Sequence, residues 1–460
     1  MKNKPEINLL EGNLVPLILK LAFPVALDLL AQTLYDLTDA FWLGKLGKEV
    51  LAAPTISSFL ENFLISIGLG FSIAGTTLVA QYAGAKEKEK ICQSTGNLMI
   101  GLTILSIILT GLGLIFADDL LRLLKTPPDA FGHTMEYYRI VIGGMPLLFP
   151  FFVYQAVMNG KGDTLAPLKI TLCTATANAV LDPIFIFGIF GFPITGAAGA
   201  ALATALTRAS SSLIGLYFLF SGRKGIDLKW HHLKPNLTTS RLLLKIGTPS
   251  AVGFSGSSLG FILLMGIVDS LGTAVVSAYG IVTRVIHFFM LPAMGISSAV
   301  TTLVGQNLGA NNVPRAKQTV IKGIILMVAI VIPVVIILMI FGKQITMLFI
   351  PTDRLIHQMG RIMFYLAPAS LIFFGVSTVI QGAFQGAGYT IPVMIANISR
   401  IWLFRVPVVY LLSMIMLKGG SVIDASLGIW WGMLFSNFAA FVIIYAWYMN
   451  GKWARSRLKN

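Results

Sequence analysis

The sequence predicts an all-α polytopic membrane protein: twelve transmembrane helices in two pseudo-symmetric six-helix bundles. Three observations carry this. The mean hydropathy is +0.81 and only 12% of residues are charged, roughly half of what a soluble domain carries. The apolar residues gather into runs that reach the length of about 20 residues a helix needs to cross a bilayer. The second half of the chain repeats the first.

The runs lie near 15–43, 52–80, 93–117, 134–158, 166–188, 195–220, 243–270, 275–304, 318–341, 359–384, 391–416 and 426–449. The polar stretch SGRKGIDLKWHHLKPNLTTS, residues 221–240, separates the sixth run from the seventh. It divides the chain into an N-terminal bundle (1–220), a linker (221–240) and a C-terminal bundle (241–460). The polar start, MKNKPEINLLEGN, and the length of the first apolar run predict no cleavable signal. An even number of spans puts both termini on one side. That side then collects 19 Lys and Arg residues, against 7 on the other. The excess makes the termini and the linker cytoplasmic, in a plasma (inner) membrane.

Residues 70–85, GFSIAGTTLVAQYAGA, lie over residues 295–310, GISSAVTTLVGQNLGA, at an offset of 225. The same offset carries Pro24 onto Pro249 and Gly47 onto Gly272. NGKGDT (159–164) matches QGAGYT (385–390) at 226. A repeat six spans long preserves topology, so the halves are parallel repeats about an axis along the membrane normal. That is a transporter design, with the substrate path expected between the halves.

Lys and Arg number 34 against 19 acids, a formal charge of +15. In short loops beside apolar spans this excess suits anionic lipid headgroups, not nucleic acid. The two cysteines, Cys92 and Cys173, are far apart, and no Cys/His metal spacing is visible. Neither a disulfide framework nor a bound cofactor is expected.

The acids well inside the spans are Asp28, Asp36, Asp39, Glu61 and Asp182, all in the first half. The repeat partners of Asp36 and Asp39 are Phe261 and Leu264, so the scaffold does not require acids there. An ionised carboxylate without a partner costs several kcal/mol in such a place. It escapes the cost by taking up a proton, by pairing, or by binding a cation. Asp28 and Asp39 share a helix face to within about 20°, and Asp36 lies about 60° from Asp39. Asn178 precedes Asp182 by one turn, on the same face. Together they could hold a proton or supply oxygens to Na+. The GAAGAALAT stretch (196–204) lets a helix approach closely and brings Thr204 toward this cluster. Pro183 frees a backbone carbonyl, and Pro24, Pro146, Pro150, Pro249, Pro292, Pro368 and Pro407 are further expected bend points. Pro24, about four turns before Asp39, is the expected hinge. Most interior basic residues, Arg208, Arg400 and Arg405 among them, fall to a snorkelling explanation.

AQTLYDLTDAFWLGKLG (31–47), with LDPIF, GAALAT and QGAGYT, resembles the multidrug and toxic compound extrusion (MATE) family, in its DinF-like prokaryotic subclass. The resemblance covers essentially the whole chain. It implies the MATE/MOP-type fold and export of organic cations and other amphipathic compounds by alternating access, driven by H+ or Na+. It also implies a coupling site of Asp39, Tyr35, Asn178, Asp182, Ala200 and Thr204, where Na+ would meet Asp39, Asn178, Asp182 and Thr204. Gln32, Asp36, Asp28, Gln155 and Tyr137 are the expected lining of the substrate cavity. Asp28 and Asp36 depart from the family pattern. Partners are drug-like small molecules and membrane lipids, and the protein is expected to be a monomer and not an enzyme. Two other classes stay open at this point: a lipid-linked saccharide flippase of the same superfamily, and a channel or membrane-embedded enzyme. The flippase should carry many cavity cations. Neither a selectivity-filter run nor a catalytic His/Asp pair is visible.

Overall fold

A computed structural model describes residues 8–189, 195–351, 353–418 and 422–455. The long helices are α1 (Leu14–Gly44), α2 (Lys48–Gly84), α3 (Lys88–Ile115), α7 (Leu165–Phe187), α8 (Ala197–Phe220), α9 (Leu237–Asp269), α10 (Thr273–Gly309), α11 (Val313–Phe349), α12 (Arg354–Gly386) and α15 (Val422–Met449). Shorter ones are α4 (Ala117–Leu123), α5 (Pro128–Gly143), α6 (Met145–Lys161), α13 (Ile391–Ile398) and α14 (Val406–Lys418). A π-helical segment, Ser399–Arg405, joins α13 to α14. Among the described residues eleven stretches are long and apolar enough to cross a bilayer, and twelve if α5 and α6 form one bent span. The twelve expected spans are thus recovered.

The fourth span is not straight. Its sequence, GGMP at 143–146, places two glycines before a proline, and α5 and α6 meet there at 47°. Pro146 has no N–H to continue the ladder, so the helix ends and restarts. The chains of α1, α7, α9, α10 and α12 instead run on through Pro24, Pro183, Pro249, Pro292 and Pro368.

Two compact units result. One holds Leu27–Ala251; the other holds Met1–Ala26 with Val252–Asn460. The sequence-derived bundles follow chain order, whereas packing exchanges the starts of α1 and α9. Each exchange point lies two residues past a proline, Pro24 or Pro249, so the two points are related by the same offset of 225.

The repeat is equally visible inside the units. Lys86 and Asn311, at that offset, both have left-handed backbones after the second and eighth spans, at φ 60° and 59°. Ser72 Oγ donates to the Phe152 carbonyl at 3.2 Å, and Ser297 Oγ donates to that of Thr378 at 2.7 Å. A Cβ on Gly160 would strike the Thr76 carbonyl oxygen; one on Gly386 would strike that of Thr301. Helices thus touch backbone to backbone at the same point in each unit, which small residues permit.

Lipid-facing surface is also legible. Ile325, Ile332, Ile336 and Ile340 stand exposed along α11, while Val320, Met327, Val331, Val335 and Leu338 face the core of their unit. In the other unit Tyr138, Phe149 and Tyr154 are fully buried.

The linker is folded. Lys161 Nζ donates to the Lys224 carbonyl at 2.7 Å, and Lys224 pairs with Asp163 at 3.0 Å. Asn97 on α3 accepts from Asn236 N–H at 2.8 Å and from Ser240 Oγ at 3.1 Å. A short 3-10 turn, Trp230–Leu233, lies against Gly96, where a Cβ would meet the His232 carbonyl.

Candidate functional site

The site lies in the unit Leu27–Ala251, where α1, α7 and α8 converge. Asp39 and Asp182 are both buried, at 5% and 0% exposure, and so is Asn178. Thr204 Oγ1 donates to Asp39 Oδ2 at 3.2 Å. Asn178 Nδ2 donates to Asp182 Oδ1 at 3.1 Å, the one-turn pairing read from the sequence. The two carboxyl groups lie within hydrogen-bond range of each other. Three oxygens have no donor among the described residues: Asp39 Oδ1, Asp182 Oδ2 and Asn178 Oδ1. Buried acceptors left in this state are costly. Two carboxyl groups so close need a positive charge between them, whether a proton or a metal cation. The donor set is all oxygen, which suits a hard monovalent or divalent ion over a soft one.

The remaining expected residues sort into three groups. Tyr35 OH is paired with Thr207 Oγ1 at 3.0 Å, one turn along α8 from Thr204. Ala200 is fully buried one turn before Thr204. Tyr137, on α5, is buried among Glu61, Asp39 and Arg208. Tyr35 and Tyr137 lie within electrostatic reach of Asp39.

Asp28 forms a separate cluster about 16 Å along α1. Its Oδ2 accepts from Gln155 Nε2 at 2.9 Å and from Gln32 Nε2 at 3.1 Å, and the Thr171 hydroxyl stands beside it. Two amides thus serve this acid through Oδ2, which brings Gln155 and Gln32 together, while Asp28 Oδ1 and the Thr171 hydroxyl have no hydrogen-bond partner among the described residues.

Asp36 is exposed, on the flank the helix period assigned to it, within electrostatic reach of Glu61 and Arg208. Pro24 is buried in the part of α1 that belongs to the other unit.

Sequence reasoning missed one partner. Arg208, assigned to snorkelling, bonds Glu61 at 2.6 Å, with only a fifth of its side chain exposed. The pair joins α2 to α8 and puts a fixed positive charge near Tyr35, Asp36 and Asp39. The signal was present as one basic and one acidic residue at matching depth, but nothing in the sequence aligns the two helices.

A second cluster combines Glu89, His231 and His232, whose ligand atoms lie within 4.8 Å of one another. Lys229 N–H donates to His232 Nδ1 at 2.9 Å, so the ring proton sits on Nε2 and points to Glu89 at 2.9 Å. A metal-bound imidazole has the opposite arrangement, donating from its free nitrogen. The cluster therefore ties the linker to α3.

A family model described as MatE matches residues 24–184 and 249–411. The chain belongs to the MatE family. The two matched stretches begin at Pro24 and Pro249, the pair that the repeat superposes. Among relatives, the probable multidrug resistance protein YpnP of Bacillus subtilis (strain 168) is 29% identical over 452 residues, covering 97% of this chain and 98% of that protein. The probable multidrug resistance protein YoeA of the same organism is 28% identical over 431 residues, covering 92% and 91%. The crystal structure of MATE in the straight conformation shares the fold with a TM-score of 0.87, at 25% identity over 98% of each chain. That of MATE in complex with MaL6 does so at 0.88, with 24% identity, over 97% of this chain and 98% of that one. As a MatE chain the protein is a multi-pass membrane transporter of the multidrug efflux class and not an enzyme.

Proposed function

We propose that the protein is a secondary antiporter of the DinF-like subclass, exporting organic cations and other amphipathic compounds in exchange for H+ or Na+. Asp39 and Asp182 are its coupling carboxylates. One observation carries the reading: two buried carboxyl groups within hydrogen-bond range, each with one oxygen that lacks a donor, beside an Asn178 Oδ1 that lacks one too. The site has a place for one positive charge and no fixed cation in contact to fill it. An ion can bias transport only by binding one conformational state more tightly than the other. Here the empty pair repels and the filled pair closes. Tyr35, Ala200 and Thr204 set the geometry of α1 against α8, and Pro24 is the hinge through which α1 responds. Residues 249–268 of the seventh span and 367–385 of the tenth hold no carboxylate, which supports a coupling site in the N-terminal unit alone. Asp28, Gln32, Asp36, Gln155 and Tyr137 face the substrate. Both termini are cytoplasmic, and the protein acts as a monomer.

The test is efflux of ethidium from proteoliposomes under an imposed pH gradient, with and without a Na+ gradient. The expected result is efflux driven by one gradient and abolished by Asp39→Asn and by Asp182→Asn in folded protein. Efflux that ignores both gradients would refute the antiport reading.

A further inference from the structure

The C-terminal unit carries the opposite charge. From residue 252 onward the acids are Asp269, Asp353 and Asp424, each at a helix end. Two arginines lie deep in the span Ile391–Met416: Arg400 is its tenth residue and Arg405 its fifteenth of 26. At about 1.5 Å per residue both lie well over 10 Å from either end. Snorkelling, the sequence-based expectation for both, therefore does not account for them.

The backbone brings them together. In an α-helix, residues five apart point about 140° away from each other. Ser399–Arg405 is instead π-helical, and its i→i+5 pattern stacks residues five apart on one face. Arg400 and Arg405 consequently feel each other's charge. Arg405 is 3% exposed and held by neutral groups: Nε donates to Ser436 Oγ at 3.0 Å, Nη2 to Asn437 Oδ1 at 2.6 Å, and its guanidinium lies 5.6 Å from the Phe261 ring centre. Arg400 has only the Phe374 ring, at 5.2 Å; its Nε is buried without an acceptor, and no described residue forms a hydrogen bond or ion pair with it. Phe261 is the repeat partner of Asp36, and this span repeats the one that carries Asn178 and Asp182. Corresponding spans thus hold acids in one unit, and arginines with an aromatic ring in the other.

Arg405 is buried and Arg400 half-buried, and guanidinium groups at this depth are retained where something neutralises them; no described residue supplies a carboxylate to either. We infer that Arg400 and Arg405 form an anion site inside the C-terminal unit, built to take the carboxylate or phosphate group of an organic anion. Arg400 offers its unused donors in a planar fork that matches such oxygens. Phe374 and Phe261 flank the site with apolar surface. The role of this anion as cargo rests on the efflux reading above. Under it, the exported class extends to amphipathic compounds that bear an acidic group.

The test is fluorescence titration of the full-length protein in phosphatidylcholine nanodiscs, with no ion gradient, using 1-pyrenebutyrate and its neutral analogue 1-pyrenebutanol. Failure of the coupling reading cannot affect this measurement. The anion should bind at least about tenfold more tightly than the alcohol. Arg400→Gln should remove that preference and Arg400→Lys should restore part of it. Arg400 makes no bond that folding needs, so Arg400→Gln should also raise the melting temperature of the anion-free protein. Arg405→Gln is the second variant. Equal affinity for acid and alcohol overturns the proposal, as does a preference unchanged in both glutamine variants. Repeating the titration with phosphatidylglycerol in the nanodiscs separates two sources of the same chemistry. Competition identifies a lipid phosphodiester as the occupant, and no competition identifies a soluble anion; either supports the site.

Discussion

Replacing Asp39 by asparagine tests the coupling pair with a change of one atom. The new amide keeps an oxygen for Thr204 Oγ1, now 3.2 Å from Asp39 Oδ2. Its NH2 falls where Asp39 Oδ1 has no donor and faces Asp182, whose Oδ2 also has none. A hydrogen bond from a neutral amide to a charged acceptor is worth about 1.5–3 kcal/mol. At about 1.4 kcal/mol per tenfold, this favours the closed pair by roughly ten- to a hundredfold without any ion. The variant should therefore fold as well as the parent and hold the ion-occupied arrangement permanently. In proteoliposomes its ethidium efflux should not respond to a pH or Na+ gradient, while its melting temperature equals or exceeds the parent's. Gradient-driven efflux at the parental rate would refute the role of Asp39. Severe destabilisation would refute the geometry from which the magnitude is worked.

Other outcomes follow from the same contacts. Asn178→Ala removes the donor to Asp182 and one unpartnered oxygen, and should raise the ion concentration for half-maximal efflux about tenfold; an unchanged ion dependence would contradict this. Glu61→Gln strands Arg208 and should cost roughly 2–3 kcal/mol in thermal unfolding, most of it recovered in Glu61→Gln with Arg208→Gln. A double variant less stable than the single would argue against the pair. Gly386→Ala and Gly160→Ala push a methyl into the Thr301 and Thr76 carbonyls and should each destabilise by about 1–3 kcal/mol. Gly101→Ala, which meets open space, should be neutral or stabilising by up to about 1 kcal/mol. Asp28→Asn exchanges an acid served by Gln32 and Gln155 for an amide, and should weaken export of cationic compounds while leaving the gradient response intact. Parental export of cations would remove Asp28 from the cavity lining.

Much of this was legible in the chain because membrane physics is strict about where charge and backbone polarity can sit. Apolar runs gave the spans, and a constant offset gave the repeat, which the structure carries down to paired left-handed backbones at Lys86 and Asn311. Helical period placed Asp28 and Asp39 together on the buried face and Asp36 aside. The pairing of Asn178 with Asp182 is local to one helix and could be read from spacing. What spacing could not give is register between helices. The Glu61–Arg208 bond depends on how α2 lies against α8. The bend between α5 and α6 depends on Pro146 ending a helix where other prolines do not. The π-turn that aligns Arg400 with Arg405 has no period of its own in the sequence. The exchange of half-helices between units depends on packing, and chain order hides it.

The central claim is that Asp39 and Asp182 carry the coupling ion. The most direct measurement is ion movement provoked by substrate. Proteoliposomes loaded with a pH-sensitive or a Na+-sensitive dye receive an outward gradient of ethidium and no ion gradient. The account predicts that one ion moves against the substrate in the parent protein, and that neither moves in Asp39→Asn or Asp182→Asn. Substrate flux without ion movement in the parent, or undiminished ion movement in both variants, would contradict it.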